Sequence, residues 1–418
     1  MDKDKLKRLE KIATEEGTPI LVIDHAQIRD NYKRFRERLP RVQAYYAVKA
    51  NSDPEIIETL FREGASFDVA SISEYESVED FVSRYLSVTE YEDFMWDKII
   101  YANPVKDTSS LKELNRHRPL MTYDCIEEME KIKEHCPRAG VLLRIKVPNE
   151  GSQVKFDHKF GIEYELAPEL IKKTIEAGIG VEGLSFHAGS QCNNPENFVK
   201  ALQYSADVFD KVHKMGLDIG ASKQGEPKMK ILDIGGGFPV KYNGDDQSFS
   251  GLTKIINKEL DISFPQDKFS ILAEPGRYLV ANAGTAVFNT ILAKHSVNPP
   301  CYHIDDGTYG LLSAMVFDHL KIKMEAFREG EKSECYVFGK SCDGFDTLSE
   351  NPHLPNTSKI YLPKLKTEDL VYVENMGAYT TASATMFNGF PLPKVFHIGR
   401  NTKKNPNLNQ SSSQIQNK

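Results

Sequence analysis

Eight short runs rich in Val, Ile, Leu, Phe and Tyr, at about 43–49, 66–70, 98–102, 119–123, 140–147, 181–187, 229–235 and 270–274, constrain this chain more than any other feature. Helical patterns separate most of them. Residues 53–64 place Ile56, Ile57, Leu60 and Phe61 at helical spacing after the start signal Asp53-Pro54, and 194–216 form a long amphipathic run. A strand that returns through a helix pairs parallel with the previous one, and eight such units predict an α/β fold, a closed (β/α)8 barrel.

The barrel does not account for the whole chain. At 418 residues the sequence exceeds the roughly 250 residues typical of this architecture. After residue 280 the texture changes to β-rich runs at 284–294, 300–305, 319–327, 334–338, 370–374 and 394–399. The segment Thr18-Pro-Ile-Leu-Val-Ile-Asp24 precedes the barrel strands and is expected to pair with that later sheet, making the second domain discontinuous. The expected division is a barrel over 25–280, a β domain from 1–24 and 281–400, and a polar, disordered tail over 401–418.

A net charge of −7 and a pI near 5.9 without a basic face argue against nucleic-acid binding and suit a small cationic substrate. Asp2 to Glu16 is densely charged, and no run approaches a membrane span, so a cytoplasmic protein without a membrane partner is expected. The six cysteines show neither a CxxC nor a Cys/His ligand cluster, which predicts reduced thiols and no metal.

A (β/α)8 barrel gathers its chemistry at the C-terminal ends of its strands. Lys49, Asp68, Arg144, His187, Gly235 to Gly237 and Glu274 all fall there. Each has a bland reading: Lys49 as a solvated strand cap, Arg144 as a rim ion pair, His187 as a core histidine. Together they point elsewhere. A lysine leaving an apolar strand is partly desolvated, and its neutral amine can condense with an aldehyde such as pyridoxal phosphate. Gly235-Gly236-Gly237 lets backbone amides wrap an anion, and Gly276-Arg277 offers further donors and a cation. These two motifs follow strands seven and eight, where barrels commonly bind phosphate. Glu274 is the candidate partner for a pyridine nitrogen, whose protonation makes the ring an electron sink. His187 is placed against the ring face.

The motifs Tyr46-Ala-Val-Lys49-Ala-Asn, Phe67-Asp68-Val-Ala-Ser, Tyr101-Ala-Asn-Pro, Phe186-His187-Ala-Gly-Ser190, Leu232-Asp-Ile-Gly-Gly-Gly-Phe-Pro239 and Ala273-Glu274-Pro-Gly-Arg277-Tyr278 follow one another in order. Asp306-Gly-Thr-Tyr309-Gly, Cys342-Asp343-Gly-Phe-Asp346 and Glu374-Asn-Met-Gly-Ala-Tyr379-Thr continue the series. From about residue 18 to 400 the chain resembles the fold-type III pyridoxal-phosphate decarboxylases of the ornithine and lysine/ornithine group. The resemblance implies an alanine-racemase-like barrel plus β domain, and a homodimer with shared active sites. By similarity Lys49 holds the cofactor. Ser190, Gly235, Gly236, Gly237, Gly276, Arg277 and Tyr379 surround its phosphate, while Asp68, Arg144, His187 and Glu274 complete its wall. Cys342, the implied carbon acid, and Asp343, which reaches the distal amine, would come from the other subunit. Tyr309 is implied as a wall of the substrate pocket.

A thiol with a pKa near roughly 8.5 is a usable proton donor near neutral pH. The bland alternatives are a small buried hydrophobe for Cys342 and an Asx turn for Asp343. Asp318 matches the aspartate of relatives that use ornithine or lysine, and its plain alternative is a helix cap. Arginine and diaminopimelate decarboxylases are the neighbouring enzyme readings. The latter are expected to carry Ser-Gly-Gly-Glu where this chain has Ser71-Ile-Ser-Glu74, and Cys-Glu-Ser in place of Cys342-Asp-Gly. A non-catalytic regulatory homologue would be expected to lose catalytic residues, which are present here. Phe317 stands where a tyrosine is common, and the acidic, aromatic stretch at 80–97 is longer than usual. The expected function is decarboxylation of L-ornithine to putrescine in polyamine biosynthesis, with L-lysine to cadaverine as a second reaction.

Overall fold

The computed structural model describes residues 1, 3–155, 158–217, 229–241, 249–266, 268–354 and 357–400, so the polar segment from 401 lies outside the described residues. Chain contacts divide it into two compact units. Among the described residues, one comprises those within 1–30, 240–241 and 277–400, and the other those within 31–239 and 249–276.

Strand β1 (Ile20–Asp24) belongs to the first unit. The second unit is built on β2 (Val42–Ala47), β3 (Ser66–Val69), β4 (Ile99–Tyr101), β5 (Leu120–Tyr123), β6 (Gly140–Arg144), β7 (Gly180–Ser185), β8 (Ile231–Asp233) and β9 (Ser270–Ala273). These eight strands close a barrel in sequence order, each parallel to its neighbours, with β2 pairing β9 to complete the ring. Tyr45, Ile100, Leu142 and Leu272 form one buried cluster with Ala102 although they come from β2, β4, β6 and β9. Side chains of these separated strands meet across the inside of a barrel, so this cluster is its filling. Each large apolar side chain buried there stabilises the fold by about 1.5–3 kcal/mol.

The helices between the strands carry legible signals. Asp53 caps Pro54–Arg62 by accepting the Glu55 N–H, with proline in the first turn. The amphipathic helix Pro195–Lys214 is capped by Asn194 and buries Phe198, Ala201, Leu202, Val208, Phe209 and Val212. The acidic, aromatic stretch contains the helix Val88–Asp97, opened by a capping box between Ser87 and Glu90.

The remaining strands are β10 (Gly284–Lys294), β11 (Cys301–Ile304), β12 (Met324–Ala326), β13 (Ser333–Phe338), β14 (Ile360–Leu362), β15 (Leu370–Glu374) and β16 (Lys394–Ile398). β1 pairs antiparallel with β10 and parallel with β16, as the sequence leads one to expect. A core of Leu9, Ala13, Ile20, Val22, Val287, Tyr372 and Ile398 packs under this sheet, uniting the N-terminal segment with strands from beyond residue 284. No described helix is long and apolar enough to cross a membrane.

Candidate active site

The register of the barrel sets the first contact. Ala47, the last residue of β2, lies opposite Asp68 in β3. The chain then enters a one-turn helix, Val48–Ala50, which carries Lys49 past the strand end. There its Nζ donates to Asp68 Oδ2 at 2.8 Å. The Asp68 carboxylate is fully buried, whereas the Lys49 side chain keeps 40% of its surface exposed.

A second lysine sharpens the comparison. Lys106 is 1% exposed. Its Nζ donates to the carbonyls of Thr122 at 2.6 Å, Asn103 at 3.2 Å and Pro104 at 3.3 Å, and pairs with Glu128 at 3.1 Å. Those partners absorb all three ammonium protons and leave no approach for an aldehyde. Lys106 braces the loop after β4, a role the sequence reading did not foresee, while Lys49 is open to chemistry.

Next to β2 in the other direction around the ring, the ends of β7, β8 and β9 are laced together. The Phe186 N–H donates to Asp233 O at 3.0 Å, Ile234 N–H to Leu272 O at 2.9 Å, and Glu274 N–H to Gly235 O at 2.8 Å. Close backbone packing explains the glycines. A Cβ on Gly235 would lie 2.1 Å from Phe186 O, and one on Gly237 2.1 Å from Gly189 O; both residues have positive φ, 64° and 93°. Only glycine meets both demands. A Cβ on Gly236 would approach His187 Nε2 to 3.0 Å, so the imidazole lies against the triplet. Gly276 packs on Ala47 and Ala50, the residues that flank Val48 and Lys49. Ser190 is held by a two-residue bridge to Val154.

The titrating groups of the barrel act on one another. Burial, then the charges of Arg144 and Lys49, push the His187 imidazole well below its usual range. It is therefore neutral, and because Nδ1 accepts the Gly189 N–H at 3.0 Å its proton is on Nε2. Burial also lowers the Arg144 guanidinium, against the opposing pull of Glu274, Asp124, Asp233 and Asp68. Burial, reinforced by Asp233 and Asp68, raises the Glu274 carboxyl well above the glutamate range. Asp233 is raised for the same first reason, and the two buried carboxyls act on each other. Lys49, Asp68, Arg144, His187 and Glu274 thus form one electrostatic set, with Asp233 as a member the sequence reading had only inside a motif. Glu74, raised by burial, joins it: its carboxylate accepts the Ala70 N–H at 2.7 Å and feels Asp68 and Lys49.

A carboxyl whose folded pKa is raised stabilises the fold fully below its unfolded value, near 4.3 for glutamate, and loses that contribution as pH rises through the folded pKa. Cofactor-free protein should therefore lose stability from about pH 4.3 upward less steeply as Glu274→Gln than as wild type. Melting temperatures across that range check this, and parallel profiles would contradict it.

The β unit carries the other candidates in two clusters. Arg277 Nη2 donates to Asp318 Oδ1 at 2.6 Å, and Nη1 also pairs with Oδ2. The guanidinium lies 4.7 Å over the Tyr379 ring, at a residue with φ 57°. Asp318 follows the short helix Ala314–Phe317 rather than opening it, so it is no N-cap; its carboxylate engages Arg277.

In the second cluster the Tyr309 hydroxyl, raised first by burial, also feels the charge of the neighbouring Asp343 carboxylate. The Tyr309 ring stacks on Phe387 with centroids 4.0 Å apart. Asp343 Oδ1 accepts the Phe345 N–H at 2.8 Å, so the Asx turn weighed from sequence is present beside Tyr309. Cys342 is exposed, with its thiol 3.9 Å from Asn388 Oδ1, and is not a buried hydrophobe. Tyr309 therefore belongs with Cys342 and Asp343 of the same chain.

The donor set fits pyridoxal phosphate: an open lysine beside a buried carboxylate, a neutral imidazole against a glycine triplet, and a buried carboxyl facing inward. The pyridoxal-binding domain of the pyridoxal-dependent decarboxylases matches residues 25–281. The lysine/ornithine decarboxylase of Selenomonas ruminantium is 36% identical over 390 residues, covering 92% of this chain and 91% of its own. The ornithine decarboxylase of Mus pahari is 34% identical, covering 92% and 82%. Among solved structures, the lysine/ornithine decarboxylase of Vibrio vulnificus complexed with cadaverine superposes with a TM-score of 0.83 at 30% identity, covering 96% of this chain and all of that one. The chain belongs to the pyridoxal-dependent amino-acid decarboxylases, in the group of the ornithine and lysine/ornithine enzymes.

Proposed function

We propose that the protein decarboxylates L-ornithine to putrescine and accepts L-lysine as a second substrate. The observation that carries this reading is the pair of acids at the two substrate positions, Asp318 and Asp343. A carboxylate suits a side chain ending in an ammonium and repels one that ends in its own carboxylate. The relatives named for ornithine and lysine support it.

When bound, pyridoxal phosphate takes up the electrons released as CO2 leaves. Lys49 supplies the amine for its aldehyde, and Asp68 keeps that amine in place. Glu274, with Asp233 behind it, holds or yields the proton at the pyridine nitrogen. Neutral His187 packs without adding charge. Ser190, Gly235, Gly236, Gly237 and Gly276 offer backbone and hydroxyl donors to the phosphate, and Arg277 and Tyr379 keep the phosphate role that the resemblance gives them. Cys342 returns a proton to the substrate carbon, and Asp343 binds the distal ammonium; both serve the site of a partner subunit in a homodimer.

Side-by-side kcat/KM values for ornithine, lysine, arginine and diaminopimelate test the reading. Ornithine should lead, with lysine second; arginine or diaminopimelate ahead of both would overturn it. Asp318→Glu moves the carboxylate by one methylene, a change typically worth about 1–3 kcal/mol, so efficiency on both substrates should fall roughly tenfold or more. Unchanged values would remove Asp318 from substrate recognition.

A further inference from the structure

Asp346 ends the Cys342-Asp-Gly-Phe-Asp346 motif, and nothing in the proposed chemistry uses it. It is nevertheless 3% exposed. Its Oδ1 accepts the Thr308 N–H at 2.8 Å and the Thr308 hydroxyl at 3.1 Å, and its Oδ2 accepts the Ser341 N–H at 3.0 Å. Its own backbone closes the turn: Asp346 N–H donates to Asp343 O at 3.1 Å, and Gly339 N–H to Asp346 O at 2.8 Å. The carboxylate thus ties the loop of Thr308 and Tyr309 to the turn of Cys342 and Asp343.

Two glycines make the room for it. A Cβ on Gly307 would lie 1.9 Å from Asp346 Oδ1, and one on Gly339 2.2 Å from both carboxylate oxygens. These separations are far inside contact distance to a buried group that cannot swing away without losing its three donors. The neighbouring loop repeats the device, with Asp306 accepting the Leu311 N–H at 2.8 Å where a Cβ on Gly310 would lie 1.7 Å from its Oδ1.

We propose that Asp346 is a positioning residue that fixes the Cys342–Asp343 turn against Tyr309, so that the thiol and the amine-binding carboxylate are presented as one preformed unit within a single chain. The inference rests on the reading of Cys342 and Asp343 as substrate-facing groups. A hydrogen bond to a charged acceptor is among the stronger ones, and an unmade buried one is costly, so loosening this anchor should be felt at both groups. Asp346→Asn keeps the shape but turns an amide N–H toward one of the donors. Gly339→Ala leaves Asp346 in the sequence and displaces it by contact.

The test is alkylation of Cys342 by iodoacetamide in the holoenzyme, followed by peptide mass spectrometry with Cys301 as internal reference, together with KM and kcat for ornithine. In both variants the Cys342 rate relative to Cys301 should rise, and KM should rise roughly tenfold with a smaller change in kcat. Two folded variants with wild-type Cys342 reactivity and KM would overturn the proposal. If wild type fails to decarboxylate ornithine, the functional reading falls, while the thiol measurement still decides the role of Asp346.

Discussion

Lys49→Ala should reduce decarboxylation to background at saturating cofactor, measured as CO2 release, because it removes both the amine that joins the cofactor aldehyde and the amine that frees the product. Lys106 provides the contrast. Removing its side chain leaves the carbonyls of Thr122, Asn103 and Pro104 without their ammonium donor, and a buried polar group left unpaired costs about 1–3 kcal/mol, so Lys106→Ala should lower the melting temperature. Activity near wild type in Lys49→Ala would sink the assignment of the barrel end as the cofactor site.

The second large effect comes from symmetry. If one site uses Lys49 of one chain with Cys342 and Asp343 of its partner, Lys49→Ala and Asp343→Ala homodimers should each be nearly inactive. After mixing in equal amounts and exchange, a heterodimer has one site with both lesions and one with neither. Random exchange makes about half the dimers hetero, so activity should return to roughly a quarter of wild type. This number depends on no contact energy. No recovery, with exchange demonstrated, would place Lys49 and Asp343 at the same site of one chain.

The barrel was legible because its parallel strands are buried on both faces and read as apolar runs; the ends of β2 to β9 fall within a few residues of the expected positions. β14 was missed because it has no extended apolar run around it: only Ile360 and Leu362 are buried, with the exposed Tyr361 between them. Single residues with one strong chemical role were also legible. Pairings between distant residues were not: Arg277 and Asp318 are 41 positions apart, and sequence alone gives each a ligand rather than each other. Tyr309 with Asp343, and Asp233 with Glu274, are of the same kind. Asp346 and Lys106 were overlooked because polar residues inside motifs draw attention to chemistry, whereas their work is to satisfy buried backbone donors and acceptors. The clearance at Gly307 and Gly339 is the signal that could have found Asp346, and it exists only in three dimensions.

Borohydride reduction of the holoprotein followed by peptide mapping fixes the cofactor to the nitrogen it is joined to, and so identifies the cofactor lysine directly. A single pyridoxyl group on Lys49 is expected. A pyridoxyl group on another lysine, Lys106 included, or none on a protein that still decarboxylates, would contradict it.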